Sequence, residues 1–192
     1  MTTVDIALAF NRLFSRNIIT IACGDDHIYR QTVKLEVPME KGSNVFVKRD
    51  FTITETIHML IGDLLAQFGT RISNPMNMFW KSTGKLYAAN KQQRATDENC
   101  KVIVEHLREF ARERKKKIES GEVDIEKFDL LNHLLSDPVA FPTVEDAVDE
   151  IIDFFSAAAE TTQTVTQSLL CYLIKNKDAV DKARREFDAF FE

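Results

Sequence analysis

Features that would identify several common protein classes are missing from this sequence. Its three cysteines, Cys23, Cys100 and Cys171, are too few and too irregularly spaced for a disulfide framework or a zinc site, which favours a reducing compartment. No apolar run approaches the length of about 18 residues that a membrane span needs. The net charge of −5 gives no basic footprint for nucleic acid. A disulfide-rich secreted protein, a membrane span within this chain and a nucleic-acid binder are therefore not expected.

Motifs of several enzyme classes are missing as well. The sequence has no Gly-rich phosphate loop and no nucleophile elbow. Its histidines have no partner at i,i+4 that would suit a metal site, so no metal-ligating residues are predicted; they are His27, His58, His106 and His133. A hydrophobic content of 44% and a charged content of 29% are ordinary for one globular domain with a real core.

The longest helical pattern runs from about Thr143 to Asn176. Thr143 and the acids that follow it form a capping-box sequence, which predicts where the helix begins. A helix of this length spans roughly 50 Å, enough to cross a whole domain. Its apolar residues recur at i, i+3, i+4 and i+7 and predict one inward face: Val144, Val148, Ile151, Phe155, Ala158, Thr162, Val165, Leu169 and Tyr172.

The middle of this helix, residues 157–162, has an unusual composition. Three alanines are followed by Glu160, Thr161 and Thr162, and threonine is a mediocre residue for a helix interior. Small side chains next to an acid and hydroxyls predict a shallow polar groove on an otherwise buried helix. The alternative is close helix packing, with each threonine bonded to the carbonyl four residues earlier. Spacing alone favours the packing interpretation.

The hexapeptide 157–162 resembles the oxygen-binding helix signature of the cytochrome P-450 family, the haem-thiolate monooxygenases. The family pattern is Ala/Gly-Gly-x-Asp/Glu-Thr-Thr/Ser, which Ala157, Glu160, Thr161 and Thr162 match. Ala158 stands where the family usually has glycine. The resemblance implies an all-α fold built on a long central oxygen-binding helix. It identifies residues 1–192 as a single partial domain, a middle fragment that spans the F, G and I helix region.

The resemblance also implies roles for these residues. Glu160 and Thr161 would organise water and deliver protons during catalysis, and Ala157, Ala158 and Thr162 would line the cofactor groove. The complete protein would use haem b to insert one oxygen atom from dioxygen into a lipophilic small molecule. An NADPH-dependent reductase would supply electrons. Localisation on the cytoplasmic side follows, with a membrane anchor at the endoplasmic reticulum, if there is one, outside this chain.

The cysteine that binds haem iron in the family is expected to lie outside this chain. The family places it in a loop of the form Phe-x-x-Gly-x-x-x-Cys-x-Gly, and none of the three cysteines has these neighbours. The family's Glu-x-x-Arg pair should follow the central helix, whereas Glu105–Arg108 and Glu109–Arg112 precede it and are interpreted as surface ion pairs. The apolar pattern continues to Glu192, which suggests truncation. We therefore expect this chain alone to be inactive.

Most of the remaining segments are also predicted to be helical. Helices are predicted at about residues 4–23, 52–69, 86–120 and 124–136, with a last helix from Asp178. Residues 32–48 alternate with period two and form either a small hairpin or an extended loop. The basic run from Arg112 to Lys117 is interpreted as a solvated helix end.

Two segments are candidates for contact with a lipophilic molecule. Residues 74–84 combine adaptable methionine with large aromatics, so Met78 and Phe79 are predicted to form part of a lid over a pocket. Phe154, just before the hexapeptide, is the third predicted substrate contact. A loop anchored by buried aromatics is the plainer interpretation of residues 74–84. For the whole chain, the alternative function is a non-catalytic all-helical binding or adaptor domain.

Overall fold

The structure of the chain is a computed structural model that describes residues 6–24, 28–40, 42–76, 88–122 and 129–191. These residues form helices and one small sheet, so the predicted all-α class is confirmed. The helices are α1 (Ile6–Cys23), α2 (Ile53–Ile72), α3 (Lys91–Glu119), α4 (Leu130–Ser136), α5 (Val144–Lys175) and α6 (Lys177–Phe191). The strands are β1 (Thr32–Pro38) and β2 (Phe46–Thr52), and a 3-10 turn occupies Ile28–Arg30.

Helix α5 begins and ends where the sequence predicts. The Thr143 hydroxyl oxygen accepts a hydrogen bond from the Asp146 backbone N at 3.1 Å, and the Asp146 carboxylate accepts one from the Thr143 backbone N at 3.0 Å. This reciprocal pair is the predicted capping box. At the other end, the Asn176 backbone N donates to the Tyr172 and Leu173 carbonyls.

Thr143→Ala should lower the free energy of unfolding by about 1 kcal/mol, because the substitution removes the hydroxyl that accepts a hydrogen bond from the Asp146 backbone N. Urea denaturation followed by circular dichroism measures the change. Thr164→Ala is the matched control, since Thr164 is exposed in the interior of the same helix and alanine is the better helix former there. A loss at Thr143 no larger than that at Thr164 would show that the cap contributes nothing.

The first half of α5 passes through the core and contacts α1, α2, α3 and α4. Its buried side chains are Ala147, Val148, Ile151 and Phe155. Helix α1 lies along α5. Its buried side chains include Ile18, Ile19 and Ala22, whereas Leu13 and Ile21 are exposed although their apolar spacing favours an inward position.

Residues 32–52 form an antiparallel hairpin rather than an extended loop. The register pairs Thr32 with Thr52 and Pro38 with Phe46, so the second strand continues past the predicted segment. Helix α3 holds the hairpin through one side chain. The Asn99 amide oxygen accepts from the Glu36 backbone N, and its amide nitrogen donates to the Glu36 carbonyl, both at 2.9 Å. The side chain of Asn99 therefore satisfies both backbone groups of one strand residue.

Three predicted helix boundaries are wrong. Helix α4 begins at Leu130, after its extended N-cap Asp129, rather than at residue 124. Gly69 does not end α2, which continues to Ile72. Arg71 makes this last turn favourable, because its guanidinium donates two hydrogen bonds to the Asp97 carboxylate of α3, at 2.8 and 2.9 Å. Helix α3 begins at Lys91 rather than at residue 86, and the Asn90 side chain accepts from the Gln93 backbone N as its cap.

The predicted solvated basic end of α3 contains a buried charge. Arg114 is only 4% exposed. Its guanidinium donates to the Asp129 carboxylate, the Asn132 amide oxygen and the Cys23 carbonyl, each at 3.0 Å. Three separate parts of the chain, the end of α1, α3 and the start of α4, therefore meet at one side chain.

Gly24 permits this meeting. Gly24 follows the last residue of α1 and has a φ of +73°. A Cβ at this position would lie 2.8 Å from the Asp129 carboxylate. Only glycine provides both the left-handed conformation and the space.

Apolar side chains remain exposed on the second half of α5 and on α6. Phe187, Phe190 and Phe191 are exposed, and the ring of Phe191 contacts the rings of the other two. In the parts of the chain that the structure describes, no helix has both the length and the apolar character that crossing a membrane requires.

Candidate functional site

The hexapeptide 157–162 lies where α5 leaves the core. Ala157, Thr161 and Thr162 are exposed, and Ala158 is half-buried against the core. The opposite face is marked by Gln163, which is 8% exposed. Gln163 therefore packs inward, Ala158 borders the core, and Ala157, Thr161 and Thr162 are open. The backbone of Glu160 belongs to α5, but its side chain and that of Ala159 lie outside the described part of the chain.

Three hydroxyl groups of this region bond the helix backbone. Thr161 donates to the Ala157 carbonyl at 2.7 Å, Thr166 donates to the Thr162 carbonyl at 2.8 Å, and Ser156 donates to the Ile152 carbonyl at 2.9 Å. This is the i−4 pattern of the packing interpretation. A hydroxyl that donates its proton still has lone pairs to accept another hydrogen bond. In this conformation Thr161 can thus accept a bond from water, and it must rotate before it can donate one.

Two of the three described cysteines, Cys23 and Cys100, have thiols whose pKa is raised. Burial raises the pKa of the Cys23 thiol to about 12, with the nearby Asp129 carboxylate adding to the effect. Burial also raises the pKa of Cys100, to about 11. Both thiols are therefore protonated near neutral pH. No cluster of His, Cys, Asp and Glu side chains suited to a metal ion occurs among the residues that the structure describes.

The open face of α5 fits one side of a flat cofactor. Ala157 is exposed and Ala158 half-buried, so no long side chain from these two positions obstructs a planar group. The donor set fits less completely, because a haem iron needs an axial ligand such as a thiolate and the thiols of Cys23 and Cys100 are protonated. Ala157 and Ala158 therefore fit a wall of a haem pocket, whereas Cys23 and Cys100 do not fit its iron ligand.

The predicted substrate contacts are only partly described. Phe154 is half-buried at the edge of the core, with its ring centroid 6.5 Å from that of Phe155. Met78 and Phe79 lie outside the described residues, as does most of the predicted lid.

A cavity that the sequence did not reveal lies beside Phe155. It measures about 80 Å³ between α2, α3 and α5, and Ile57, Leu60, Ile103 and Leu107 are among its lining residues. The apolar periodicity of α2 and α3 is consistent with the inward position of these residues, but periodicity cannot distinguish a filled core from one that encloses a space. Cys100 also lines it and gave no signal beyond being a lone cysteine.

Comparison with known proteins supports the family resemblance of the hexapeptide 157–162. The family model described as Cytochrome P450 matches residues 39–192, which is 154 of the 192 residues. Cytochrome P450 monooxygenase btcC of Colletotrichum orbiculare is 30% identical over 89 residues. That match covers 46% of this chain and 16% of the relative, so the chain corresponds to a small part of the relative's length. No solved structure matches the chain.

Proposed function

The chain belongs to the cytochrome P450 family, and on this basis we propose that the complete protein is a haem-dependent monooxygenase. It would insert one oxygen atom from dioxygen into a lipophilic small molecule. The observation that carries the proposal is the position of the hexapeptide 157–162. Its exposed hydroxyls and small residues lie on the helix that crosses the core, within the stretch that matches the family.

The residues of α5 would form one wall of the haem pocket. Haem supplies the iron at which dioxygen is activated. Ala157 and Ala158 would lie against the face of the ring, because their methyl groups allow the helix to approach closely, and Thr162 would border the same groove. The thiolate ligand would come from a part of the protein outside these residues. An NADPH-dependent reductase would be the electron donor, and Met78, Phe79 and Phe154 would contact the substrate.

Thr161 and Glu160 would control protons and water at this wall. A pocket closed by apolar groups excludes bulk water, so protons must pass through groups built into it. The Thr161 hydroxyl can accept a hydrogen bond from a water molecule while its own proton goes to the Ala157 carbonyl. Rotation of this side chain would release that proton toward the pocket. Glu160, one residue earlier and about 100° around the helix, would connect the pocket to water outside.

A second candidate function is a non-catalytic helical binding domain. One observation favours it: the hydroxyls of Ser156, Thr161 and Thr166 all bond the backbone of their own helix. A purely structural role needs nothing more from these side chains. On this reading the complete protein would not retain haem.

The spectrum of the reduced carbon monoxide complex tests the proposal. The 192-residue chain, supplied with haem, reduced and exposed to carbon monoxide, should give no thiolate-type Soret shift, because none of its three cysteines stands in the loop sequence that binds haem iron in the family. The complete protein should give that shift. A thiolate-type shift from the chain alone would contradict the assignment of the ligand to another segment. A complete protein that does not retain haem would favour the binding domain.

A further inference from the structure

The apolar cavity beside α5 adjoins a second, larger cleft. The cleft measures about 610 Å³ and lies between α2 and α3. Leu64 and Cys100 line both the cavity and the cleft. Leu64 is 40% exposed, so it is not locked into the core. The two spaces are therefore neighbours, with one leucine and one thiol between them.

The two spaces differ in chemical character. The cavity is lined by aliphatic side chains and one aromatic ring, with Cys100 and Ser156 as its polar contributors. Ser156 donates its proton to the Ile152 carbonyl, and burial keeps the Cys100 thiol protonated by raising its pKa to about 11. The cleft, in contrast, carries five charged side chains among the described residues that line it: Arg71, Arg94, Asp97, Glu98 and Lys101.

One of these charges has no counter-ion. Three cations and two carboxylates leave a net charge of +1 among these lining residues. Arg71 is paired with Asp97 and Lys101 with Glu98. Among the described residues, no carboxylate lies within ion-pair distance of Arg94.

Asp63 is a further carboxylate near this region but does not line the cleft. It accepts a hydrogen bond from Gln92, and burial raises its pKa, which disfavours its charged form. Arg94 is thus left as an exposed guanidinium at the rim of the cleft, free to bind an anion from solution.

We propose that the cleft and the cavity together bind an amphipathic molecule with one anionic head group and an apolar chain. Arg94 holds the carboxylate or sulfate of the head, and the chain passes Leu64 and Cys100 toward α5 at Phe155. The guanidinium is the group of choice for a planar carboxylate because its donors form a matching fork. As a statement about substrate class this rests on the proposed function, since it places the apolar chain next to the oxygen-binding helix. Arg94 is then the residue that selects the head group.

The test compares two probes of equal chain length, decanoate and 1-decanol, by calorimetric titration of the complete protein. Wild type should bind decanoate about tenfold more tightly than decanol. Arg94→Gln should reduce this ratio to about one and leave the affinity for decanol within about twofold. Arg12→Gln is the matched control, because Arg12 is also an exposed arginine but lies on α1; it should preserve the ratio. An unchanged ratio in Arg94→Gln would overturn the proposal.

Thiol labelling provides a second readout that needs no variant. A small thiol reagent should modify Cys100 several-fold more slowly when decanoate is present, with labelling of the exposed Cys171 as the internal reference. Leu64→Trp should block the passage and weaken both probes at least about tenfold. Equal labelling of Cys100 with and without decanoate would overturn the path past this thiol. Neither readout involves turnover. A complete protein that shows the head-group preference but oxygenates nothing would contradict the proposed function and leave this site in place.

Discussion

Arg114→Met is expected to lower the free energy of unfolding by about 3–5 kcal/mol, because it removes one partner of a buried ion pair and leaves the other charged. The Asp129 carboxylate is 1% exposed, and it would lose its only described cation. The Asn132 amide oxygen and the Cys23 carbonyl would each lose a donor as well. Urea denaturation followed by circular dichroism measures the loss, and the fraction recovered in soluble form reports it if the variant does not fold.

A substitution of Arg112, a neighbouring arginine on α3, separates the effect of losing a buried charge from the effect of losing a charge at the surface. Arg112→Met removes the same charge from a side chain that is exposed and pairs with Glu105 and Glu145 at the surface. Its effect should be small, because water and salt screen exposed ion pairs. Adding Asp129→Asn to Arg114→Met should recover part of the loss, since the amide oxygen can still cap α4 while the unpaired charge is gone. Equal losses for Arg112→Met and Arg114→Met would refute a special role for the buried pair.

Thr161→Val in the complete protein should lower the amount of product per NADPH consumed by about tenfold or more. Valine keeps the shape of the side chain and removes the hydroxyl that holds water and passes on a proton. General acid–base groups of this kind typically contribute about 10²–10⁴ to a rate. NADPH consumption should continue, and hydrogen peroxide should take the place of product. Parallel assays of NADPH, product and peroxide measure this uncoupling.

Three further variants distinguish proton transfer from packing. Thr161→Ser restores the hydroxyl and should recover most of the coupling. Thr164→Val removes a hydroxyl from another exposed position of the same helix and should leave coupling unchanged. Glu160→Gln should slow turnover more than it weakens substrate binding. If Thr161→Val keeps the wild-type ratio of product to NADPH, the hydroxyl only bonds the Ala157 carbonyl and the assigned role is wrong.

The features that the sequence predicted are those that neighbouring residues determine. The Thr143 capping box involves residues three apart, and Gly24 marks the end of α1 because a left-handed residue is needed there. The central helix follows from its own apolar repeat. The hexapeptide 157–162 could be assigned for the same reason, since its six residues are contiguous.

The features that the sequence did not predict depend on distant partners. Arg114 looked like part of a solvated basic run because its partners Asp129, Asn132 and Cys23 are 15, 18 and 91 residues away. Gly69 looked like a terminator because the ion pair that supports the next turn comes from α3. Prediction of the candidate site from the sequence was limited for the same reason. No local pattern shows that Leu64 and Cys100 border two adjoining spaces.

The bond between Asn99 and Glu36 has a consequence for how the hairpin behaves at high concentration. A sheet of two strands has two open edges, and unpaired backbone groups on an edge recruit strands from other molecules. The backbone groups of Glu36 point away from β2 toward α3, and alternation along the strand gives Pro38 the same outward direction. The Asn99 side chain binds the backbone groups of Glu36, and Pro38 has no N–H that could bind another strand. Asn99 of α3 and Pro38 thus block strand addition at two positions on the outer edge of β1, which lowers the tendency of this edge to recruit strands from other molecules.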